Sequence, residues 1–267
     1  MATRGPRKKT IIGLIHLEPL PGTPYYASEA LPDIVAKAVR SARALVAGGA
    51  DGCLVQTVDR VYPTGDDADP ARIAAMSRVL LAIRQEVPAE FRVGVQMMIN
   101  AVRPSLAVAA VCGGDFVRAS CLVGVTASPF GLVEGAPWEV VRYRHAIHAG
   151  GIELDAEIGS MHFRPLDDRM GPAEAARAAK LVGADSVALS SPDDDRTLSM
   201  IDEVRAVVPG MPVMLAGNTH HGNAARLLAR ADGAYVGSCL EPDGWGGVAD
   251  ADRTRSYMDV VARVEQS

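Results

Sequence analysis

The chain has 267 residues, of which 48% are hydrophobic, 22% charged and 4% aromatic, and its 27 basic and 32 acidic residues give a formal charge of −5. That composition excludes wholesale disorder. No cationic excess exists to grip a phosphate backbone, so nucleic-acid binding is not expected.

The opening residues Arg4, Arg7, Lys8 and Lys9 read as a flexible segment over 1–9, with no secretory run behind them because Glu18 and two prolines interrupt the apolar stretch. No segment approaches the roughly 20 apolar residues of a membrane span. Cys53, Cys112, Cys121 and Cys239 form no CxxC pair and no dense framework. Buried thiols and a cytoplasmic location are therefore expected, with no structural zinc.

From residue 10 onward, short runs rich in Val, Ile and Leu alternate with helical patterns. Strands are predicted at 10–17, 52–57, 92–99, 116–120, 152–158, 186–190, 212–217 and 233–240. Helices are predicted at 31–47, 70–86, 105–111, 138–149, 172–181, 197–207, 223–229 and 252–264. Helix stops recur as Gly48-Gly49-Ala50-Asp51, Gly183-Ala184-Asp185 and Ala231-Asp232-Gly233. Eight βα units in strict order predict a single-domain (β/α)8 TIM barrel over 10–265. An open doubly wound sheet would want a glycine fingerprint after the first strand, where this chain has His16-Leu17-Glu18-Pro19.

Chemistry in such a barrel sits at the carboxyl ends of the strands. Those ends carry His16; Gln56 and Asp59; Gln96 and Asn100; Arg118 and Ser120; Asp155 and Glu157; Ser190; Gly217 and Asn218; Gly237 and Ser238. Strand alternation places Glu153, Asp155 and Glu157 on one face, with the apolar residues between them against the helices. The acids then point into the barrel, where Arg118 on the neighbouring strand is their expected partner. Glu157, nearest the strand end, is the leading acid or base, followed by Asp155, His16 and His162. The glycine turns at Gly217-Asn218 and Gly237-Ser238 fall in the two loops where barrels often hold phosphate, which points to an anionic small-molecule substrate.

Three βα loops, 18–30, 58–69 and 121–136, exceed the usual length and mark the mouth as elaborated. Asp66-Asp67-Ala68-Asp69-Pro70 reads as a solvated helix start. His220-His221 is a weak metal candidate, because adjacent residues do not share a helix face. No cofactor is expected; a divalent metal held by His16, His162 and acidic partners is the lesser possibility. None of Lys8, Lys9, Lys37 and Lys180 falls at a mouth position, which disfavours Schiff-base chemistry.

The block Ile12-Gly13-Leu14-Ile15-His16-Leu17-Glu18-Pro19-Leu20-Pro21-Gly22, together with Gly48-Gly49-Ala50-Asp51-Gly52, Phe116-Val117-Arg118, Arg142-Tyr143-Arg144, His162 with Pro165-Leu166, and 231–237, resembles the BtpA family in order and over about 10–260. That family includes a photosystem I biogenesis factor and SgcQ-like proteins, and the resemblance implies a (β/α)8 barrel without assigning a reaction. The chain reads as a divergent member. It has Gln56-Thr57 where the family pattern has Glu-Asn, Gln96 and Ser120 where it has Asn, Ile99-Asn100-Ala101 for Arg-Asn-Asp, and Glu157 and Met161-His162 for Asp and Lys-His. Ser191–Asp195 replaces its Thr-Gly.

The function expected from these readings is a small-molecule enzyme acting on a phosphorylated sugar or nucleoside-like compound by carboxylate acid–base chemistry. Glycosidic bond cleavage leads, with a sugar-phosphate isomerase or lyase and a non-enzymatic assembly or regulatory factor as alternatives. A homo-oligomer is the default assembly.

Overall fold

A computed structural model describes residues 8–167 and 169–266. Eight parallel strands close into a barrel: β1 (Thr10–Leu17), β2 (Gly52–Thr57), β3 (Arg92–Gln96), β4 (Phe116–Ala119), β7 (Glu153–Gly159), β8 (Ser186–Leu189), β9 (Val213–Leu215) and β10 (Gly233–Val236). The strands β5 (Val125–Ser128) and β6 (Gly131–Glu134) form a separate antiparallel hairpin within the loop after β4. Around the barrel run α1 (Leu31–Gly48), α2 (Pro70–Arg84), α3 (Val102–Cys112), α4 (Pro137–Ala146), α5 (Pro172–Leu181), α6 (Asp194–Val207), α7 (Ala224–Leu228) and α8 (Ala251–Glu265). The architecture is the TIM barrel the alternation predicts.

Local chemistry explains the element ends. Gly49 stops α1 in the left-handed region at φ 85°. Asp69 caps α2, its side chain accepting from the Ala71 N–H, with Pro70 in the first turn. The acidic loop before α2 is thus a helix start, as predicted, but not a wholly solvated one, because Asp66 is turned in to accept from the Arg103 backbone and guanidinium. Three corrections concern strands, the first being that the third predicted strand ends at Gln96 rather than Ile99. The eighth predicted strand ends at Val236, because Ser238–Leu240 folds into a 3-10 turn. The loop 121–136 carries the hairpin, which lets Thr126 Oγ1 bond the Arg164 carbonyl and backbone at 2.8 Å.

The Asp that follows each helix stop has a second use. Asp51, Asp115, Asp185 and Asp232 stand just before β2, β4, β8 and β10, and each accepts the backbone N–H of Ile11, Val93, Leu154 or Val213 in the preceding strand, at 2.7–2.9 Å. Each also pairs with a cation, Lys8, Arg84, Arg144 or Arg205 respectively. These four clamps tie strands in twos at the amino-terminal pole. They also revise the flexible start. Residues 1–7 lie outside the described residues, while Lys8 binds Asp51 and Lys9 binds the Ala231 carbonyl and Glu265.

The main core lies between barrel and helices, with Leu45, Val55, Leu80, Val95, Leu154 and Val187 fully buried. A smaller cluster of Ile12, Leu54, Phe116, Ala188, Met214, Ala216 and Tyr235 plugs the barrel axis. This plug separates two poles. Among the described residues no helix is long and apolar enough to cross a membrane.

Candidate active site

Register sets the floor of the carboxyl-terminal mouth. His16 pairs with Gln56, and Gln56 with Gln96, so three inward polar side chains stand at one height on β1, β2 and β3. Arg118 and Ser120 follow from β4 and its end, and Glu157 from β7. Glu157 does point inward, as alternation predicts, and its partner is Arg118, with Nη2 2.5 Å from Oε1. Gln96 Nε2 donates to Ser120 Oγ at 3.0 Å and reaches Glu157 Oε1 at 3.5 Å, while Ser160 Oγ donates to Glu157 Oε2 at 2.5 Å. The Arg118 guanidinium lies over the Tyr235 ring, 4.5 Å from its centroid.

Above this floor opens a cavity of about 850 Å³. His16, Gln56 and Arg118 reach it from the strands, His162 from the loop after β7, and Gly217-Asn218 and Gly237-Ser238 line it on the β9–β10 side. Gly217 and Asn218 both take positive φ, 104° and 55°, which carries the chain sharply around the rim. Tyr62, Phe130 and Trp245 supply aromatic walls. Among the described residues no Asp or Glu lines this cavity, whereas one Arg and three His do.

The most organised group is His16. Its Nδ1 lies 3.1 Å from Glu241 Oε1, and both residues are buried. The other Glu241 oxygen accepts the Gly246 N–H at 2.9 Å. A carboxylate fixed on Nδ1 sets the tautomer and leaves Nε2 as the ring nitrogen available to a ligand. Burial pushes the His162 imidazole below its ordinary value, against a raising influence from Glu157. The shift favours the neutral ring, which carries one donor and one acceptor nitrogen.

Several predicted residues take other places. Asp155 is corrected outright. Two residues before Glu157 on β7, it faces the opposite pole, where its Oδ1 accepts from Ser186 Oγ at 2.7 Å beside a second cavity of about 300 Å³. Burial raises its carboxyl above the usual range, despite the Ser186 bond and Arg118. Glu157 itself is fully buried behind Arg118 and does not line the mouth, so it positions the guanidinium rather than meeting a ligand. Asp59 is consumed by Arg72, which also binds Thr57 Oγ1 and the Met98 carbonyl. Asn100 holds the loop after β4 through both backbone groups of Cys121, each at 2.9 Å. Gln96 and Ser120 stand behind the lining, while Gln56 reaches it and donates to Met98 Sδ. Ser190 Oγ accepts from Asn218 Nδ2 at 3.1 Å and so orients that side chain.

The histidine pair divides. His220 lines the mouth and accepts the Gly222 N–H, while His221 Nε2 lies 3.0 Å from the Arg253 carbonyl against Tyr257. Among the described residues no group of three His, Cys, Asp or Glu side chains is arranged to hold a metal ion. Lys37 is nearer the rim than its sequence position suggests. Its Nζ is tied behind β1 to the carbonyls of His16 (3.3 Å) and Gly246 (2.5 Å) and to Glu18, outside the lining.

Sequence reasoning missed Glu241, Trp245, Tyr62 and Phe130. Glu241 follows the last strand within a short turn, and only closure of the barrel brings it to a partner 225 positions earlier. The aromatics were findable, since all three fall in the loops that follow barrel strands.

Comparison with known proteins places the chain in context. The family model described as BtpA family matches residues 7–263. An uncharacterized protein of Archaeoglobus fulgidus is 31% identical over 94% of this chain and 98% of its own length. The photosystem I biogenesis protein BtpA of Synechocystis sp. is 29% identical over 94% of this chain and 88% of its own. Among solved structures, thiamine phosphate pyrophosphorylase from Pyrococcus furiosus superposes with a TM-score of 0.58 at 16% identity, covering 97% of this chain and 98% of that one. At such identity the likeness is one of fold.

Proposed function

The chain belongs to the BtpA family, and on that premise we propose that its carboxyl-terminal mouth is the active site of a small-molecule enzyme that binds a phosphorylated compound and moves a proton on it through His16. The observation that carries this reading is the buried His16–Glu241 pair beneath a cavity whose described lining holds one arginine and no carboxylate. An imidazole held by a carboxylate on one nitrogen works as acid or base through the other. Arg118, backed by Glu157, presents its cationic side to the cavity, and the turns at Gly217 and Gly237 let backbone approach a phosphate closely.

The reaction class favoured is isomerisation or elimination. Two-carboxylate glycosidic cleavage needs both acids flanking one bond; here Asp155 lies at the other pole and Glu157 behind a guanidinium. Schiff-base chemistry needs a free amine at the reacting carbon, and Lys37 is spent on backbone carbonyls.

The test combines binding with proton exchange. A thermal-shift panel of sugar phosphates and nucleotides identifies compounds that raise the melting temperature. With such a compound in heavy water, the wild type is expected to exchange a carbon-bound proton seen by NMR. His16→Asn, whose amide can still reach Glu241, is expected to reduce exchange by at least about a hundredfold while unfolding at nearly the same temperature. Full exchange by His16→Asn ends the proposal. A second reading is motivated by the Synechocystis relative, whose name is that of a biogenesis factor: the barrel then serves assembly, no compound exchanges protons, and His16→Asn leaves the biological role intact.

A further inference from the structure

We propose that the ligand of this mouth carries a planar π-bearing ring of the nucleobase kind, seated on Trp245; the inference rests on the reading of the mouth as a binding site and narrows its substrate class. Trp245 stands in Gly244-Trp245-Gly246-Gly247, after the 3-10 turn that follows β10. Gly244 and Gly246 both take left-handed conformations, φ 87° and 85°, so the indole is thrown out from a tight turn. The turn is anchored on both sides of Gly246. Its N–H donates to Glu241 Oε2 at 2.9 Å, and its carbonyl accepts from Lys37 Nζ at 2.5 Å. The same Glu241 carboxylate holds His16, so the indole and the imidazole are set by one group, with ring centroids 5.2 Å apart.

A tryptophan fixed in this way would normally be covered. This one lines the cavity with 63% of its surface exposed. Tyr62 and Phe130, from the loop after β2 and the hairpin turn, line the same cavity and meet edge to face at 5.2 Å. The space holds about 850 Å³, ample for a ring with a substituent. A bare sugar phosphate would satisfy Arg118 and the glycine turns but leave these aromatic faces wet. A ring stacked on the indole removes them from water and gains the offset or edge-on geometry aromatic pairs prefer.

Replacing Trp138 by Phe leaves Trp245 the only tryptophan, because the chain has two, and Trp138 is exposed on α4 and does not line the cavity. In that background, adenosine, uridine, their 5′-monophosphates and ribose 5-phosphate are titrated by fluorescence and calorimetry. At least one ring compound is expected to quench Trp245 saturably. Trp245→Ala is expected to weaken that compound at least about tenfold while leaving ribose 5-phosphate within about twofold, and Trp245→Phe to restore most of the loss. Ribose 5-phosphate binding as tightly as the ring compounds, or Trp245→Ala changing none of them, overturns the ring proposal and leaves the phosphate reading standing. A nucleoside that binds as well as its monophosphate does the reverse. Binding by none of the probes ends both.

Discussion

The two poles of the barrel use charge in opposite ways. At the amino-terminal pole Asp51, Asp115, Asp185 and Asp232 are each spent on a strand N–H and a cation, and Glu153 pairs with Arg92 across the rim. At the mouth the carboxylates Glu157, Glu241 and Asp59 are withdrawn one layer, each holding a basic side chain, and only His16 and Arg118 of those partners come forward to the cavity. One pole is a set of structural clamps, the other a surface of prepared donors. Asp155 and Glu157 make the contrast within a single strand: two residues, about 6.6 Å of rise, put the first among clamps and the second behind the site.

The sharpest way to break this contrast is to remove the forward partner at the mouth. Arg118→Met leaves Glu157 wholly buried without its cation, with only Ser160 and Gln96 to support it. We expect a loss of about 3–5 kcal/mol in urea unfolding. Replacing both, Arg118→Met with Glu157→Leu, is expected to recover much of that loss. If the single variant loses under about 1 kcal/mol, Glu157 is not the buried charge described here. A middle-sized effect is expected at the other pole. Asp185→Ala orphans the Leu154 N–H and removes the Arg144 ion pair, while Arg144 keeps its bonds to the Ala149, Gly150, Ile152 and Gly183 carbonyls, for a cost of about 1–3 kcal/mol. The same variant is expected to leave ligand binding at the mouth unchanged by calorimetry; a binding defect as large as that of Arg118→Met would merge the poles.

The barrel was legible because each of its signals is local. Apolar runs, helix stops and strand alternation suffice to count eight units and to turn Glu157, Arg118 and His16 inward. Alternation gives direction but not height, which is why Asp155 was assigned to the wrong pole. Height depends on where each strand enters the shared register, and that is set by neighbours such as β4 and β8, not by β7 itself. Glu241 was illegible for a related reason: it has no strand, no motif and no near neighbour in sequence, and acquires a role only when β10 closes on β1. The hairpin was readable, since Pro129-Phe130-Gly131 interrupts two β-prone runs, but a long loop absorbed both.

The smallest expected change is a gain. Burial holds the Asp155 carboxyl above its ordinary value, more than Ser186 and Arg118 lower it. The folded chain therefore keeps a proton there that the unfolded chain has already released. Below the ordinary carboxyl range both forms are protonated and Asp155 costs nothing. As pH rises toward and through the raised folded value, the wild type loses stability, because the unfolded state binds fewer protons. Asp155→Asn keeps an oxygen for the Ser186 hydroxyl and has no proton to lose. Its melting temperature is expected to match the wild type below the ordinary carboxyl range and to exceed it progressively as pH rises from there through the raised folded value. A difference that stays constant across that range would mean Asp155 titrates like an exposed acid, and the amino-terminal plug would then be open to water.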